Sequence, residues 1–527
     1  MYRIVVTDRV AEEGLARLRA EPDFDVRSIP GAPRQEIEAA LADADALIVR
    51  SGTRVDRGLL AAAPGLKVVG RAGIGVDNID VEAATERGVV VLNTPDANAK
   101  TTAELTIAHL LSLSRHLPQA DRSVREGRWE RSRFIGTEVA GKTLGIVGFG
   151  TIGRIVAKRA LGLEMRVLAH DPFVTEEVMR DAGVEPADLD RLLAESDYVT
   201  LHCPANEATR GLISEDRLRR MKKGARLINC ARGSLVDEEA LVRVLQEGHL
   251  AGAALDVYAQ EPPEGSPLLG LENVVLTPHL GASTREAQSA VARAIAEQVA
   301  RFLRTGEAVG AVNLPPVATE ELRRAEPYAR LAERLGRLLS RLAPGPMGRV
   351  QVALYGAAAA ADTRAIAAGA LAGILADRVD APVNRVNAPL LARRQGIELV
   401  ETRSDRARDF VSLVEVGCRV GHEPVVVAGT LLGGRDPRLV RIGSFDIEAV
   451  PEGTLLVTRH EDRPGVIGAL GTLLGESGVN IARMHVGSSA EEPDAIAILS
   501  LDRPLDERAL EAVRRLPPIR RVLQVVL

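Results

Sequence analysis

Arg232, Glu261 and His279 are the side chains in this sequence best suited to moving a proton beside a carboxylate. They lie in three short segments, Cys230-Ala231-Arg232-Gly-Ser234, Asp256-Val-Tyr-Ala-Gln-Glu261-Pro262 and Thr277-Pro-His279-Leu280-Gly281-Ala282. An imidazole changes charge near neutral pH and can take up a hydroxyl proton. A carboxylate such as Glu261 beside it would fix the tautomer and stabilise the imidazolium. The guanidinium of Arg232 is a rigid fork that can bond a carboxylate bidentately and polarise a developing carbonyl. Base, orienting acid and cation together are what a 2-hydroxy acid requires if its hydroxyl proton is to leave as hydride departs from C2.

The hydride needs an acceptor, and residues 142–172, KTLGIVGFGTIGRIVAKRALGLEMRVLAHDP, hold a pattern for one. Residues 143–147 read as a buried strand, and Gly148-Phe-Gly150-Thr151-Ile152-Gly153 follows at once. Residues 155–161 continue with helical spacing, and a second strand, 165–169, leads to Asp171. Gly148 permits the turn out of the strand, Gly150 lets the backbone approach a pyrophosphate, and Gly153 lets the helix pack closely on the sheet. The anion would sit at a helix N-terminus, where unpaired N–H groups and the dipole favour negative charge. Asp171, about 20 residues on, can bond both ribose hydroxyls of NAD and would repel the 2′-phosphate of NADP. NAD is the expected cofactor.

These residues need a scaffold that brings strand ends together. Residues 2–95 alternate short apolar runs with helical stretches, as a parallel sheet covered by helices does. Two helices, 101–115 and 117–127, lead into the unit from 142 to 281, whose further strands YVTLHCP, ARLINCARG, AALDVY and NVVLTPH complete a Rossmann set. The three chemical segments fall at or just beyond strand C-termini, where open α/β sheets place their sites. An Ala-rich helix, 284–305, is expected to cross back to the first lobe. An amphipathic helix over 320–342 and a mixed stretch from Gly348 follow. Their glycines and alanines are explained by close helix packing and turns. From Thr454 a βαββαβ pattern runs to the end. The fold class is α/β, with two doubly wound parallel-sheet lobes followed by an α+β unit and a βαββαβ unit. The expected domains are 1–98 with 283–313, 99–282, 314–452 and 453–527.

Composition narrows the function classes. The apolar fraction is 46% and the charged fraction 26%, as in globular proteins, so neither disorder nor a fibrous class is expected. A net charge of -5 over 527 residues provides no basic surface, so nucleic acid is not the expected partner. Cys203, Cys230 and Cys418 are far apart and lack metal spacing, which argues for a reducing compartment and against a metal site. No apolar run is long enough to span a membrane, and the N-terminus reads as a strand, so the expectation is a cytoplasmic protein.

The segments AGIGVDNID, NTPDANAKTTAEL, GFGTIGR, CARG and TPHLGAST, with Arg, Glu and His in that chain order, make residues 1–313 resemble the D-2-hydroxyacid dehydrogenase family. VTRHEDRPGVIGALGTLLGESGVNI is similar to ACT regulatory domains, and with the 314–452 spacer the chain resembles the long members of that family. The resemblance implies NAD-dependent oxidation of D-3-phosphoglycerate to 3-phosphohydroxypyruvate, the first step of L-serine synthesis. It implies cofactor contacts at Ile74, Thr151, Ile152, Asp171, Cys203, Cys230, Ala231, Arg232, Asp256, His279, Leu280, Gly281 and Ala282. Some relatives have Thr where Ile74 stands, so a contact there runs through the backbone. Substrate contacts carry over to Arg50, Ser51, Gly73 and Asn98, with Arg54 and Arg71 as further candidates for the phosphate. A homodimer or homotetramer paired through residues 101–127 is implied as well. In the tail, His460, Asp462 and Asn480 form the expected effector site for L-serine. Pro464 and Gly465 set a turn whose following helix N-terminus can receive a carboxylate. Relatives often have Asn where this chain has Asp462.

Two alternatives stay open. Another dehydrogenase on the same core, such as a hydroxypyruvate or glyoxylate reductase, would end near Pro316 and need no amino-acid sensor. An NADH-sensing corepressor would not need Arg232, Glu261 and His279. The histidines at 109, 116, 170, 202, 249 and 422 match no motif and are read as structural, and nothing beside Cys203 or Cys230 activates a thiol.

Overall fold

Strands that are apolar at every position, rather than at every second one, belong in parallel sheets with helices on both faces. Two sheets built mostly of such strands form the first part of the chain in the computed structural model, which describes residues 1–95, 97–314, 319–380, 382–406, 410–420 and 423–527. His422 lies outside them. The first sheet contains β1 (Tyr2–Val6), β2 (Phe24–Ser28), β3 (Ala46–Val49), β4 (Val68–Arg71) and β5 (Val90–Leu92), all parallel, in the order β2-β1-β3-β4-β5. The second contains β6 (Thr143–Val147), β7 (Arg166–His170), β8 (Glu185–Pro186), β9 (Tyr198–Leu201), β10 (Arg226–Asn229), β11 (Gly252–Leu255) and β12 (Val274–Leu276). Its order is β12-β11-β10-β9-β6-β7-β8, again all parallel. Strand order reverses between β6 and β9, and between β1 and β3 in the first sheet. Crevices at the carboxyl ends of such switch points are where open sheets bind ligands.

The helix Arg285–Thr305 packs on the first sheet. Val291, Ile295, Ala296, Val299 and Leu303 join Ile4, Val6, Leu15, Ile48 and Val68 in one core. Thr284 caps its first turn by accepting from the Ala287 N–H, and Gly306 ends it in the left-handed conformation. The helices expected over 101–115 and 117–127 run Ala99–Arg115 and Leu117–Arg125, joined through His116 with φ 54°. Leu117, Val124, Trp129 and Ile135, on and after the second of these, are exposed.

The third sheet holds β13 (Arg349–Gly356), β14 (Glu398–Ser404), β15 (Ser412–Val420), β16 (Glu423–Leu432), β17 (Asp436–Ile442) and β18 (Phe445–Ala449). Its order is β14-β13-β15-β16-β17-β18, and β13 and β14 form its one parallel pair. The helices Thr319–Leu342 and Thr363–Leu375 cross closely beside it. A Cβ on Gly336, Gly369 or Gly373 would come within 2.2, 2.3 or 1.9 Å of a backbone carbonyl of the facing helix, so these glycines serve packing. The last sheet, β19 (Thr454–Glu461), β20 (Ile481–Ser488), β21 (Asp494–Leu501) and β22 (Ile519–Val526), is antiparallel in the order β20-β21-β19-β22. The helices Val466–Glu476 and Glu507–Arg514 cover one face. On the other face Leu455, Val457, Ile496, Ile498 and Val525 join the core of the third unit. Among the described residues no helix is long and apolar enough to cross a membrane.

Candidate active site

The carboxyl ends of the second sheet bring the dinucleotide pattern and the chemical segments to one rim. Gly148, just past β6, has φ 96°, and a Cβ on it would lie 2.6 Å from the His202 carbonyl carbon. One on Gly153 would meet the Gly148 carbonyl oxygen at 2.2 Å, whereas one on Gly150 would meet nothing within 4 Å. The space before the helix Thr151–Gly162, where a pyrophosphate belongs, is therefore open. Asp171 accepts from the Phe149 N–H at 2.8 Å and the Phe173 N–H at 2.9 Å, one bond to each oxygen. Each oxygen keeps a lone pair for a ribose hydroxyl. The residues present fit a dinucleotide. Cys203 and Cys230 stand past β9 and β10, and burial pushes their thiols up to about 11 and about 12, which opposes the thiolate form.

Asp256, past β11, is fully buried. Its carboxylate accepts from Thr277 Oγ1 at 2.6 Å, the Leu280 N–H at 2.7 Å and the Gly281 N–H at 2.8 Å. It thus anchors the turn that carries His279 between them. His109 joins the same network. Its Nε2 lies 3.1 Å from Thr277 Oγ1 and its Nδ1 3.7 Å from Cys230 Sγ, and burial keeps it below the usual histidine range. No motif marks His109, and the link spans 168 residues, so only the folded chain reveals it.

His279 has φ 55°, an uncommon left-handed conformation for a side chain of its size. Its Nδ1 is 2.7 Å from Glu261 Oε2, and Glu261 Oε1 accepts from the Tyr258 N–H at 3.2 Å. Burial opposes ionisation of Glu261. The hydrogen bond and charge of His279, the Tyr258 N–H and the charge of Arg232 outweigh it and hold the carboxyl below its usual range. An ionised Glu261 can only accept, so Nδ1 carries the hydrogen of this bond and Nε2 is left to take a proton.

Arg232 faces the first lobe across the mouth. Its Nε donates to Asp77 Oδ2 at 2.8 Å and its Nη1 to the Ala231 carbonyl at 2.6 Å. Asp77 sits inside AGIGVDNID, where an acid between glycines and an asparagine was the available sign. Arg71 ends β4 with its Nε buried and without a partner. Burial, then the charges of Arg232 and Arg50, push its guanidinium down to about 10, so the three cations share one region. Gly73, at φ 153°, makes room for it, since a Cβ there would lie 1.4 Å from Arg71 Nη1. Asp8 holds the Arg50 N–H at 2.6 Å, and Asn98 is buried with Oδ1 unpartnered. The Ile74 carbonyl accepts from Asn93 Nδ2 at 2.6 Å. Ser51 and Arg54 are exposed, and Arg54 has no ion pair among the described residues.

In the last unit, His460 is buried in β19 with Nδ1 3.0 Å from the Glu461 carbonyl and Nε2 unpartnered. Asp462 and Asn480 are exposed, and the Asn480 N–H donates to Asp502 at 3.0 Å.

The chain matches three family models in order. They are the D-isomer specific 2-hydroxyacid dehydrogenase NAD binding domain over residues 107–281, the D-3-phosphoglycerate dehydrogenase intervening domain over 324–443, and the ACT domain over 454–518. The D-3-phosphoglycerate dehydrogenase of Methanocaldococcus jannaschii is 39% identical over 523 residues, 99% of each chain. That of Bacillus subtilis is 40% identical over 519 residues, 98% of each. Among solved structures, a glyoxylate reductase from Paecilomyes thermophila is 31% identical with a TM-score of 0.55, over 59% of this chain and 98% of its own. A D-lactate dehydrogenase from Aquifex aeolicus complexed with NAD and lactic acid is 28% identical with a TM-score of 0.53, over 59% of this chain and 100% of its own. With full-length similarity and an NAD-binding, an intervening and an ACT domain in sequence, this chain belongs to the D-3-phosphoglycerate dehydrogenase family and is an NAD-dependent oxidoreductase.

Proposed function

We propose that this enzyme oxidises D-3-phosphoglycerate to 3-phosphohydroxypyruvate and so opens L-serine synthesis. Bound NAD, held by the glycine loop after β6 and by Asp171, supplies the hydride acceptor. Arg232 takes the substrate carboxylate and stabilises negative charge on the oxygen of C2. His279 Nε2 accepts the hydroxyl proton, and Glu261 faces the imidazolium that results. Asp256 keeps the His279 turn in place from below.

Arg71 carries the choice of substrate. A plain 2-hydroxy acid is matched by Arg232 alone, whereas a second cation with a buried, unpartnered Nε, next to Arg50, suits a phosphate. The solved reductase and lactate dehydrogenase match 59% of this chain, whereas the relatives named D-3-phosphoglycerate dehydrogenase match 98–99% of it, which favours the phosphoglycerate reading over a simple reductase. Initial rates of NAD reduction on a panel of D-2-hydroxy acids at alkaline pH test it. The expected result is a kcat/KM for 3-phosphoglycerate well above those for glycerate and lactate, and a preference for an unphosphorylated acid overturns the reading.

The ACT unit supports regulation by an amino acid, and L-serine, the end product, is the effector proposed at His460, Asp462 and Asn480. The exposed Leu117, Val124, Trp129 and Ile135 support pairing of two chains through this region, in a homodimer or homotetramer. Free cysteines and a metabolic role support the cytoplasm.

A further inference from the structure

Asp77 reaches across the mouth from the first lobe to take the Nε–H of Arg232 at 2.8 Å, over a sequence separation of 155 residues. A guanidinium offers a carboxylate two bidentate edges, the side formed by Nε and one Nη, and the end formed by Nη1 and Nη2. With Nε bonded to Asp77, the side edge is closed. Nη1 gives one N–H to the Ala231 carbonyl at 2.6 Å, which leaves one on Nη1 and two on Nη2. That is sufficient for a carboxylate arriving end-on. Gly75 completes the seat, since a Cβ there would lie 1.7 Å from Arg232 Nη2 and displace the guanidinium.

We infer that Asp77 is a positioning residue that fixes the roll of the Arg232 fork so that the substrate carboxylate meets its end edge. The orientation of the carboxylate in turn decides where C2 lies relative to His279 Nε2. This inference rests on the proposed oxidation of a 2-hydroxy acid and deepens it. The side chain of Asp77 is 62% exposed and that of Arg232 27%. An ion pair this open to water adds little to folding stability, so its loss reads out as misplacement and not as unfolding.

The test is steady-state kinetics and NADH binding on the full-length enzyme with Asp77→Ala, Asp77→Asn, Arg232→Lys and the Asp77→Ala/Arg232→Lys pair. Freed at Nε, the Arg232 fork can turn, and Asp77→Ala is expected to lower kcat about tenfold or more with NADH binding unchanged. Asp77→Asn keeps an oxygen that accepts from Nε and is expected to recover most of the rate. Lysine has no Nε edge to orient, so Asp77→Ala is expected to add little to Arg232→Lys, the non-additivity of residues acting as one unit. Wild-type turnover in Asp77→Ala, an Asn variant no better than Ala, or additive losses overturn the inference. A raised kcat/KM in Asp77→Ala also overturns it, by making Asp77 a competitor of the substrate. An inactive wild type on every 2-hydroxy acid fails the proposed function itself, whereas an active wild type matched by Asp77→Ala fails this inference alone.

Discussion

In the proposed reaction the imidazole of His279 handles a proton that moves only as the hydride leaves, so its contribution would fall on turnover and not on cofactor affinity. His279→Ala is expected to lower kcat by about 10²–10⁴-fold with NADH binding near wild type, and a variant retaining more than about a tenth of the rate means that another group is the base. In the same reading Asp171 carries the cofactor choice. Asp171→Asn removes the charge that repels a 2′-phosphate but keeps an oxygen for the Phe149 N–H. The ratio of kcat/KM for NADP to that for NAD is expected to rise, and an unchanged ratio places the ribose partner elsewhere. The positions of Arg232, Glu261, His279 and Asp171 beyond strand ends of the second sheet were legible in the sequence because each follows a strand whose apolar run is visible. Asp77 and His109 were not, because each acquires its partner only when segments 155 and 168 residues apart are folded together.

The proposed substrate side is built from loops after parallel strands, and most of the strands themselves could be read because burial on both faces leaves apolar runs without alternation. The mixed sheet was not readable in the same way. Its strands pair in the order β14-β13-β15-β16-β17-β18, and local pattern cannot tell that a strand separated by two helices returns parallel beside β13. Among Arg50, Arg54 and Arg71, equal candidates by residue type, the fold separates Arg71, whose Nε is buried without a partner, from Arg54 on the surface. Arg71→Ala is expected to raise KM for 3-phosphoglycerate about tenfold or more and to affect glycerate much less, while Arg54→Ala leaves both near wild type. Equal losses on both substrates in Arg71→Ala remove the phosphate from this pocket.

The proposed regulation would have to cross from the last two units to the two lobes, and specific contacts join them. Glu86 of the first lobe pairs with Arg57 beside it and with Arg394 of the intervening unit, and Asn384 Nδ2 donates to the Gly88 carbonyl at 2.9 Å. The hydrogen bond from Arg57, then that from Arg394, lower the Glu86 carboxyl from 4.5 to about 2. Arg57 lies in the same lobe, so only the part of this lowering due to Arg394 belongs to the seam; that part is fully present above the unfolded value and is lost as pH falls between the two. Small-angle scattering is expected to show the units separating in that acid window, and Glu86→Gln to show the looser form already at neutral pH. No expansion in either case means that the seam is held without the Glu86 ion pair, by packing and by hydrogen bonds such as that from Asn384 to the Gly88 carbonyl. The serine test follows from the other boundary. Removing residues 453–527 would strip Leu455, Val457, Ile496, Ile498 and Val525 from a core shared with the intervening unit, so a truncated chain would lose activity or solubility for reasons unrelated to an effector. Exposed residues give the cleaner comparison. Asp462→Ala and Asn480→Ala remove the oxygens offered to an amino acid without entering that core. Millimolar L-serine is expected to inhibit the intact enzyme, with a coupling of about 1–3 kcal/mol between effector and active site. Both variants are expected to keep basal turnover and require much higher serine for the same inhibition. Undiminished inhibition in both variants moves the effector to another site, and an intact enzyme indifferent to serine leaves the ACT unit as a purely structural partner of the intervening sheet.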